Sequence, residues 1–444
     1  MFGSKFLGNT HVPHHKNTAG MPGVRMTPPK EILLLASQHI GAPATPIVKI
    51  GDEVKVGQKI AEADGFVSSP VHSSVSGKVA KIDTFMRADG KTVPVIRITS
   101  DGLMTPDESL TPPEVTDLDS LISAVRESGI VGLGGAGFPT AVKLAGAKNG
   151  NIDTVIINGS ECEPFITCDA RTMIDDVALI VEGIALLKTC MPTVKKFVFG
   201  IERNKPLCIE NMKKAFASDE AVEIHTLPDA YPQGAEKVII FNTTKKVVPE
   251  GKLPIDIGIL VINVTTLAEI ARYIKTGMPL VERCVTVDGS AIANPQNLIV
   301  PIGTPTNEVL DFVGVKGEIG KVIFGGPMMG TPACNITDPT TKTTGGITVL
   351  TAEEALAKAP TACIHCGRCV SACPMGLNPT AFARALELES KEDRLDRLID
   401  DKVLLCMECG CCSYVCPANR PLIQNNVLAK GEVRDYKAHQ SQLK

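Results

Sequence analysis

Cys363-Ile-His-Cys366-Gly-Arg-Cys369-Val-Ser-Ala-Cys373-Pro374 and Cys406-Met-Glu-Cys409-Gly-Cys-Cys412-Ser-Tyr-Val-Cys416-Pro417 are one pattern, C-x2-C-x2-C-x3-C-P, written twice. Two-residue spacings let consecutive thiolates wrap three irons of a cubane, and a fourth cysteine beyond the turn ligates the other cluster. The pattern therefore assigns Cys363, Cys366, Cys369 and Cys416 to one [4Fe–4S] cluster, and Cys406, Cys409, Cys412 and Cys373 to the second. Zinc is the alternative metal, but a zinc site needs only four ligands, and two such runs overfill it. Cys411 lies outside the spacing and reads as a packed thiol. Between the runs, Ala381, Leu386, Leu388, Leu395 and Leu398 predict a helical hairpin holding the clusters, so 351–430 is expected to be a helical two-cluster domain.

Composition agrees with that reading. Nine of the 15 cysteines lie after residue 360, whereas a secreted disulfide scaffold is shorter and more evenly studded. Clustered cysteines in a reducing compartment point to metal. The 444 residues suffice for roughly two to four domains. A net charge of −4 with 21% charged residues argues against disorder and against a nucleic-acid partner. No apolar run reaches the ~20 residues of a membrane helix; the best candidate, Ile255–Val264, contains Asp256 and Asn263. The start, MFGSKFLGNT, lacks the apolar core of a signal peptide, so a soluble, cytoplasmic protein is expected.

Upstream of the cysteines the pattern changes in blocks. Residues 281–350 are strands and turns. Residues 116–280 alternate buried strands, such as Thr154–Asn158, Lys196–Gly200 and Ile257–Asn263, with helical stretches at Asp119–Glu127, Ala141–Ala147 and around Asp175–Leu187, the rhythm of a mostly parallel sheet. Thr105–Asp117 reads as a linker. Residues 31–115 show short strands broken by Gly and Pro. Residues 1–30, with His11, His14 and His15, read as an irregular surface arm, and 431–444 as a polar, frayed tail. The run VKIGDEVKVGQKIA followed by SPVHSSVSGKV resembles the barrel-sandwich hybrid of biotinyl and lipoyl carriers. No lysine occurs between Lys59 and Lys78, so the module is expected to be structural and not a carrier. CVTVDGSAIANPQNLIVPIGTPTNEVLDFVG, from Cys284, resembles the β-grasp module called SLBB.

Gly132-Leu-Gly-Gly-Ala-Gly-Phe-Pro-Thr-Ala-Val-Lys143 contains G-x-G-x-x-G, but only Ile130 and Val131 separate it from the preceding helix, and no acid closes the strand Thr154–Asn158. An ordinary dinucleotide fingerprint needs both. What remains is a turn whose glycines let backbone N–H groups approach an anion, with a helix N-terminus behind them; a phosphate-bearing cofactor fits there, and a merely flexible loop is the alternative. Asn158-Gly-Ser-Glu-Cys-Glu-Pro-Phe-Ile-Thr-Cys-Asp-Ala-Arg171 follows a buried strand directly, where α/β sheets place ligands, although a solvated acidic loop has the same composition.

GxGGAGFPTxxK followed by NGxExEPxxxxDxR is similar to the flavin-binding subunit of respiratory complex I. Over nearly the full length, and in the same module order, the chain resembles the RnfC family, the C subunits of Rnf ion-translocating electron-transport complexes. The resemblance implies a multidomain α/β protein: a barrel-sandwich-hybrid N-terminal module, a Rossmann-like FMN/NADH α/β domain, a β-grasp SLBB module and an α-helical bacterial-type two-[4Fe–4S] ferredoxin domain. It implies that Gly132, Gly134, Gly135, Gly137 and Lys143 hold the phosphate and ribityl of FMN. Asn158, Ser160 and Glu161 would contact the isoalloxazine, with Phe138 and Glu163 near the nicotinamide of NAD(H). Tyr231-Pro-Gln-Gly234-Ala-Glu236 would form a second flavin loop, and Asn263, Thr265 and Thr266 a further contact. Against complex I, Leu133 stands in place of an Arg, Ser160 of an Asp, Cys162 of a Ser and Ala235 of a Glu. The implied activity is hydride exchange between NAD(H) and FMN, with single electrons relayed through the clusters. The implied partners are the other Rnf subunits, an iron–sulfur subunit and membrane-embedded ones among them, and indirectly ferredoxin, from a peripheral position on the cytoplasmic face of the membrane. A soluble flavin/iron–sulfur reductase such as a cobalamin reductase, and a cluster-only electron-transfer scaffold, are the competing readings.

Overall fold

The computed structural model describes residues 8–88, 90–148 and 151–442. Thr154–Asn158 forms a strand because its β-branched side chains fit a pleated surface covered on both sides. Val155 and Ile157 join Phe197, Phe199, Leu260 and Ile262 in one core, while Ile156 faces the opposite layer with Val198, Val261, Ile239 and Ile240. The sheet is wholly parallel, in the order Val222–Leu227, Lys196–Glu202, Thr154–Asn158, Ile259–Asn263. Helices Val177–Cys190 and Val264–Thr276 cover one face and Glu236–Thr244 the other. Each fully buried side chain of the Phe199 or Ile157 kind contributes roughly 1.5–3 kcal/mol. The helix expected around Asp175–Leu187 is Val177–Cys190, and a further helix, Cys168–Asp175, precedes it in the stretch expected to be a loop.

Before this sheet, two small antiparallel sheets share one core. One runs in the order Glu31–Leu35, Thr92–Ser100, Gly77–Met86, Glu53–Val54, and the other joins Thr45–Pro46, Lys59–Glu62 and Val71–His72. A Cβ at Gly77 would stand 2.1 Å from the Thr99 carbonyl oxygen, so only glycine lets the long hairpin start there. After the parallel sheet comes a six-stranded mixed one, ordered Gly23–Arg25, Gln296–Pro301, Glu282–Asp288, Gly346–Thr351, Ile319–Phe324, Thr331–Pro332. Helix Thr306–Val313 packs Val309, Leu310 and Val313 against Val285, Val287 and Ile347 of this sheet.

One side chain ties the first three modules together. Lys342 is fully buried, and its Nζ donates to Pro70 O at 2.6 Å, Gly129 O at 2.8 Å and Ser69 Oγ at 3.2 Å. Burial alone pushes its pKa down to about 7.

Two expectations about the ends need correction. The expected surface arm is irregular but built in: Gly23–Arg25 adds a strand to Gln296–Pro301, Thr10 and Tyr231 exchange N–H···O bonds at 2.9 Å, and Val12 and Thr18 are buried. Its residues 1–7 lie outside the described residues. Nor is the tail frayed as far as Gln442. Helix Leu422–Gln442 runs through it, because Ala429 and Val433 pack against Phe382, Leu395 and Leu398 of the expected hairpin, Pro379–Ala385 and Lys391–Asp400. The cysteine repeat is also a backbone repeat. His365 and Glu408 take left-handed φ values of 55° and 61°, Gly367 and Gly410 of 73° and 79°, and Gly376 and Asn419 of 64° and 50°.

Candidate functional site

The parallel sheet dictates where a ligand sits. From Thr154–Asn158 the chain steps outward to Lys196–Glu202 and Val222–Leu227, then crosses back to place Ile259–Asn263 on the opposite side of the first strand. Such a reversal opens a crevice at the carboxyl ends of the two strands flanking it. Those ends are Asn158 and Asn263, direct register partners.

The glycine turn closes over the same place. It is not a strand-to-helix turn: Gly132 N donates to Phe138 O at 2.9 Å and Val131 bridges Pro139, so the loop is pinched at its base before helix Thr140–Lys148 begins. Leu133 N donates to Thr266 Oγ1 at 3.0 Å, tying the tip to the N-terminus of Val264–Thr276. A Cβ at Gly134 would lie 2.3 Å from Asn263 Nδ2, whereas one at Gly135 would meet nothing within 4 Å. The backbone is therefore pressed against Asn263 on one side and open on the other, a cradle that a phosphate or ribityl chain can enter.

Asn263 caps its helix through Oδ1, accepting from Thr266 N at 3.1 Å, and donates from Nδ2 to Asp169 Oδ2 at 2.8 Å. Thr265 Oγ1 donates to the other Asp169 oxygen at 2.6 Å. Asp169, which the sequence does not single out as a site residue, thus braces the Asn263 strand end and the start of its helix. Across the crevice, Asn158 Nδ2 donates to Gly234 O at 2.8 Å and its Oδ1 accepts from Ser160 N at 3.2 Å. Ser160 is fully buried. Lys143 and Glu236 pair with each other at 3.0 Å, and Lys143 also donates to Val261 O at 3.0 Å. Phe138 is 36% exposed.

Glu161 sits at a left-handed φ of 50° and turns its carboxylate onto the N-terminus of Cys168–Asp175, accepting from Asp169 N at 2.6 Å and Ala170 N at 3.3 Å. Burial pushes its pKa up to about 7, against the pull of Lys16 and with the Asp169 charge adding to the rise. Two lysines that sequence reasoning misses fix this loop from behind. Lys16 Nζ, from the arm, donates to the carbonyls of Glu161, Glu163 and Ile166 at 2.8, 2.8 and 2.5 Å. Buried Lys205 donates to Ser160 O at 2.5 Å and to Glu202 Oε2 at 2.9 Å. Nothing in the spacing of Lys16 from the motif announces this contact; only the folded arm brings it there.

Glu163 does not join Glu161. Its Oε2 accepts from Met328 N at 3.0 Å and its Oε1 from Tyr231 OH at 3.3 Å. Burial raises its pKa. Tyr231 faces the cysteines: Cys411 Sγ donates to its carbonyl at 3.9 Å, and Val12, Tyr231, Ala372, Cys409 and Cys411 form one apolar cluster with Cys162 and Met328 at its edge. Cys411 is the packed thiol expected of it.

Cys373, Cys406, Cys409, Cys411 and Cys412 line one cavity, with Met375, Leu377 and Ile423 also in its wall. Four of these are the set expected for the second cluster, and the fifth, Cys411, turns its Sγ to the Tyr231 carbonyl. Burial raises the thiols of Cys373 and Cys406 and pushes Cys412 up to about 12. Iron binds thiolate, so a metal must displace those protons to occupy the cavity, and four convergent sulfurs are the donor set a cubane takes. In the other set, Cys369 neighbours both Cys366 and Cys416 closely enough for their charges to raise its thiol, which burial raises most. Cys366 is exposed, as is Ile364 beside it.

Comparison with known proteins follows the same divisions. Residues 4–103 match the RnfC barrel sandwich hybrid domain, 125–272 the Nuo51 FMN-binding domain, and 359–420 the 4Fe-4S dicluster domain. The fold is similar to that of a NAD+-reducing [NiFe]-hydrogenase in the H2-reduced state, with a TM-score of 0.51 and 18% identity over 73% of this chain; the chain spans 65% of that hydrogenase chain. In sequence it is 45% identical over 383 residues to the C subunit of the Na+-translocating ferredoxin:NAD+ oxidoreductase complex of Acetobacterium woodii, covering 85% of this chain and 86% of the relative. It is 40% identical to the C subunit of the proton-translocating counterpart of Clostridium ljungdahlii, over 87% and 86% of the two chains. To the C subunit of the ion-translocating oxidoreductase complex of Rhodobacter capsulatus it is 39% identical, over 98% and 84%. On these grounds the chain belongs to the RnfC family, the C subunits of ion-translocating oxidoreductase complexes.

Proposed function

We propose that this chain is the peripheral electron-transfer subunit of a membrane-bound NAD:ferredoxin oxidoreductase, exchanging hydride between NAD(H) and FMN and relaying single electrons through two [4Fe–4S] clusters. The observation that carries this reading is one short loop. Gly234 accepts from Asn158 at the flavin crevice, and Tyr231, three residues earlier, accepts from Cys411 in the wall of the cysteine cavity. Flavin crevice and cluster cavity are thus two sides of the same backbone.

Bound in the crevice, FMN supplies the conversion between two-electron hydride and one-electron transfer. The chain's own residues supply position. Gly134, Gly135 and Gly137 bring backbone N–H groups to the phosphate, with Gly132 pinning the base of the turn and Lys143 and Glu236 at the flank. Asn158 and Glu161 meet the ring system from one side with Ser160 buried behind them, and Gly234, Asn263, Thr265 and Thr266 frame the other. Phe138 and Glu163 stand toward the nicotinamide. The cluster held by Cys373, Cys406, Cys409 and Cys412, of which Cys409 packs with Tyr231, would receive electrons first. The cluster held by Cys363, Cys366, Cys369 and Cys416, nearer the surface, would supply the exit to an iron–sulfur partner in the complex, beyond which ferredoxin is the remote partner.

Among the described residues no helix is long and apolar enough to cross a membrane, so attachment at the cytoplasmic face would come from membrane-embedded partners. We divide the chain at 31–115, 116–280, 281–350 and 351–430, with the arm before and the tail after. The third part is read as an SLBB β-grasp module: its strands Gln296–Pro301, Glu282–Asp288, Gly346–Thr351 and Ile319–Phe324 pair antiparallel, parallel and antiparallel, with helix Thr306–Val313 across them.

The test is anaerobic stopped-flow absorbance of the FMN- and iron–sulfur-reconstituted chain mixed with NADH. Flavin bleaching followed by loss of cluster absorbance is expected. Clusters that respond to dithionite while NADH leaves the flavin untouched would overturn the dehydrogenase reading.

A further inference from the structure

Helix Leu422–Gln442 reaches back over the cysteine cavity and presents two polar side chains to it, one turn apart. Asn426 is 2% exposed, and its Nδ2 lies 3.5 Å from Cys406 Sγ and 3.9 Å from Cys412 Sγ. Both sulfurs belong to the same ligand set. The amide has one sensible orientation against two thiolates, nitrogen inward, since an oxygen there would face like charge. That orientation leaves Asn426 Oδ1 buried without a partner among the described residues. An unsatisfied buried amide oxygen is destabilising, so packing alone does not account for the asparagine.

Lys430, on the next turn, is 5% exposed and donates to Cys406 O at 2.6 Å while pairing with Glu408. The lysine charge is met by Glu408, so its effect is to hold the 406–409 loop still beneath the amide. Leu377 N adds a backbone donor to Cys373 Sγ at 3.4 Å.

The repeat provides an internal control. Asn426 follows Cys416 by as many residues as Ala383 follows Cys373. Ala383 is buried in a small apolar cluster with Cys369 and Cys416. Among the described residues, no side-chain donor lies within hydrogen-bond distance of the Sγ atoms of Cys363, Cys366, Cys369 or Cys416. The two halves share backbone geometry and differ in whether an amide faces the sulfurs.

Hydrogen bonds to cluster sulfur stabilise the more negative, reduced state and raise the reduction potential. We propose that Asn426 is a positioning residue that raises the potential of the cluster held by Cys373, Cys406, Cys409 and Cys412, making the two otherwise similar clusters electronically unequal; this rests on the ligand assignment proposed above. The inner cluster, next to the flavin crevice, thereby holds an electron more readily than it would without the amide.

The experiment is an anaerobic redox titration of the reconstituted full-length chain, followed by electron paramagnetic resonance. It compares wild type with Asn426→Leu, Asn426→Gln and Cys406→Ser. Asn426→Leu should lower one couple so that electron sharing between the clusters changes about tenfold, ~59 mV for a one-electron couple. The couple that moves should be the one that Cys406→Ser disturbs. Asn426→Gln, which keeps the amide, should restore most of the shift. Full iron content with both couples unmoved in Asn426→Leu overturns the proposal, as does an equal shift of both. Loss of one cluster in both the Leu and the Gln variants would make Asn426 a purely structural residue and overturn it too. If Cys406→Ser disturbs neither couple, the ligand assignment has failed, and the proposal falls with it.

Discussion

Lys16 Nζ donates to the carbonyl oxygen of Glu161 at 2.8 Å, across 145 residues of chain. The same ammonium holds Glu163 O and Ile166 O, so one side chain of the N-terminal arm sets the curvature of the loop from which Glu161 and Glu163 project. A left-handed residue such as Glu161 stays in place only where its surroundings over-determine it.

Replacing that ammonium should loosen the loop. Lys16→Met keeps the length of the side chain and removes three charged hydrogen bonds, each worth roughly 1.5–3 kcal/mol where fully made. FMN affinity, read by quenching of flavin fluorescence, is expected to fall at least about tenfold while iron content stays at the wild-type level. Unchanged FMN affinity would mean that Lys205 alone suffices to hold the loop.

Gly134→Ala tests the cradle. Its methyl would enter the space of Asn263 Nδ2, and the amide must then leave Asp169 or the turn must lift. Either movement closes the crevice, so FMN binding should be lost with a small change in thermal stability. Gly135→Ala, with open space around the added carbon, should fold normally and weaken FMN less.

Crossed ligation predicts which cluster each fourth cysteine serves. Cys373→Ser should damage the cluster of the second run, and Cys416→Ser that of the first. With NADH as the only reductant, Cys416→Ser should still reduce the remaining inner cluster. Cys373→Ser should leave the outer one oxidised on the stopped-flow timescale. The reverse pattern would exchange inner and outer.

Lys342 gives a pH dependence of known sign. Its folded pKa is depressed to about 7 from 10.5, so between those values the unfolded chain binds the extra proton. Stability from this site therefore grows as pH rises from about 7 toward 10.5 and is lost as pH falls. Lys342→Met removes the titration, and the difference in denaturation midpoint between the two proteins should change along this slope. A constant difference would place the ammonium in a better-solvated setting.

Much of the architecture is legible because it is local. Buried β-branched runs, the cysteine spacing and the pinched glycine turn each carry their information within about a dozen residues. Helices show where side chains repeat on one face, and the pattern misses Cys168–Asp175, a short helix whose polar residues read as loop. Asn158 and Asn263 can be named from their places at strand ends. Asp169, Lys16, Lys205 and Asn426 cannot be given roles, because each acts on a distant segment or from an element that reads as tail or arm. Polar side chains in such segments carry no periodicity, and only the closed fold decides whom they meet.

The N-terminal arm has a consequence for biogenesis. Its contacts are Tyr231, the 161–166 loop, strand Gln296–Pro301 and, at Gly8, the carbonyl of Cys373, against which any side chain on that residue would collide. These are the first described residues to emerge from a ribosome, yet their seats are synthesised late, the last of them inside the first cysteine run. The Gly8 end of the arm must wait for its seat while most of the chain is made, and closing so long a loop costs entropy that only the finished contacts offset. Final docking of the Gly8 end of the arm is therefore a late event in maturation, coming after the first cysteine run has left the ribosome.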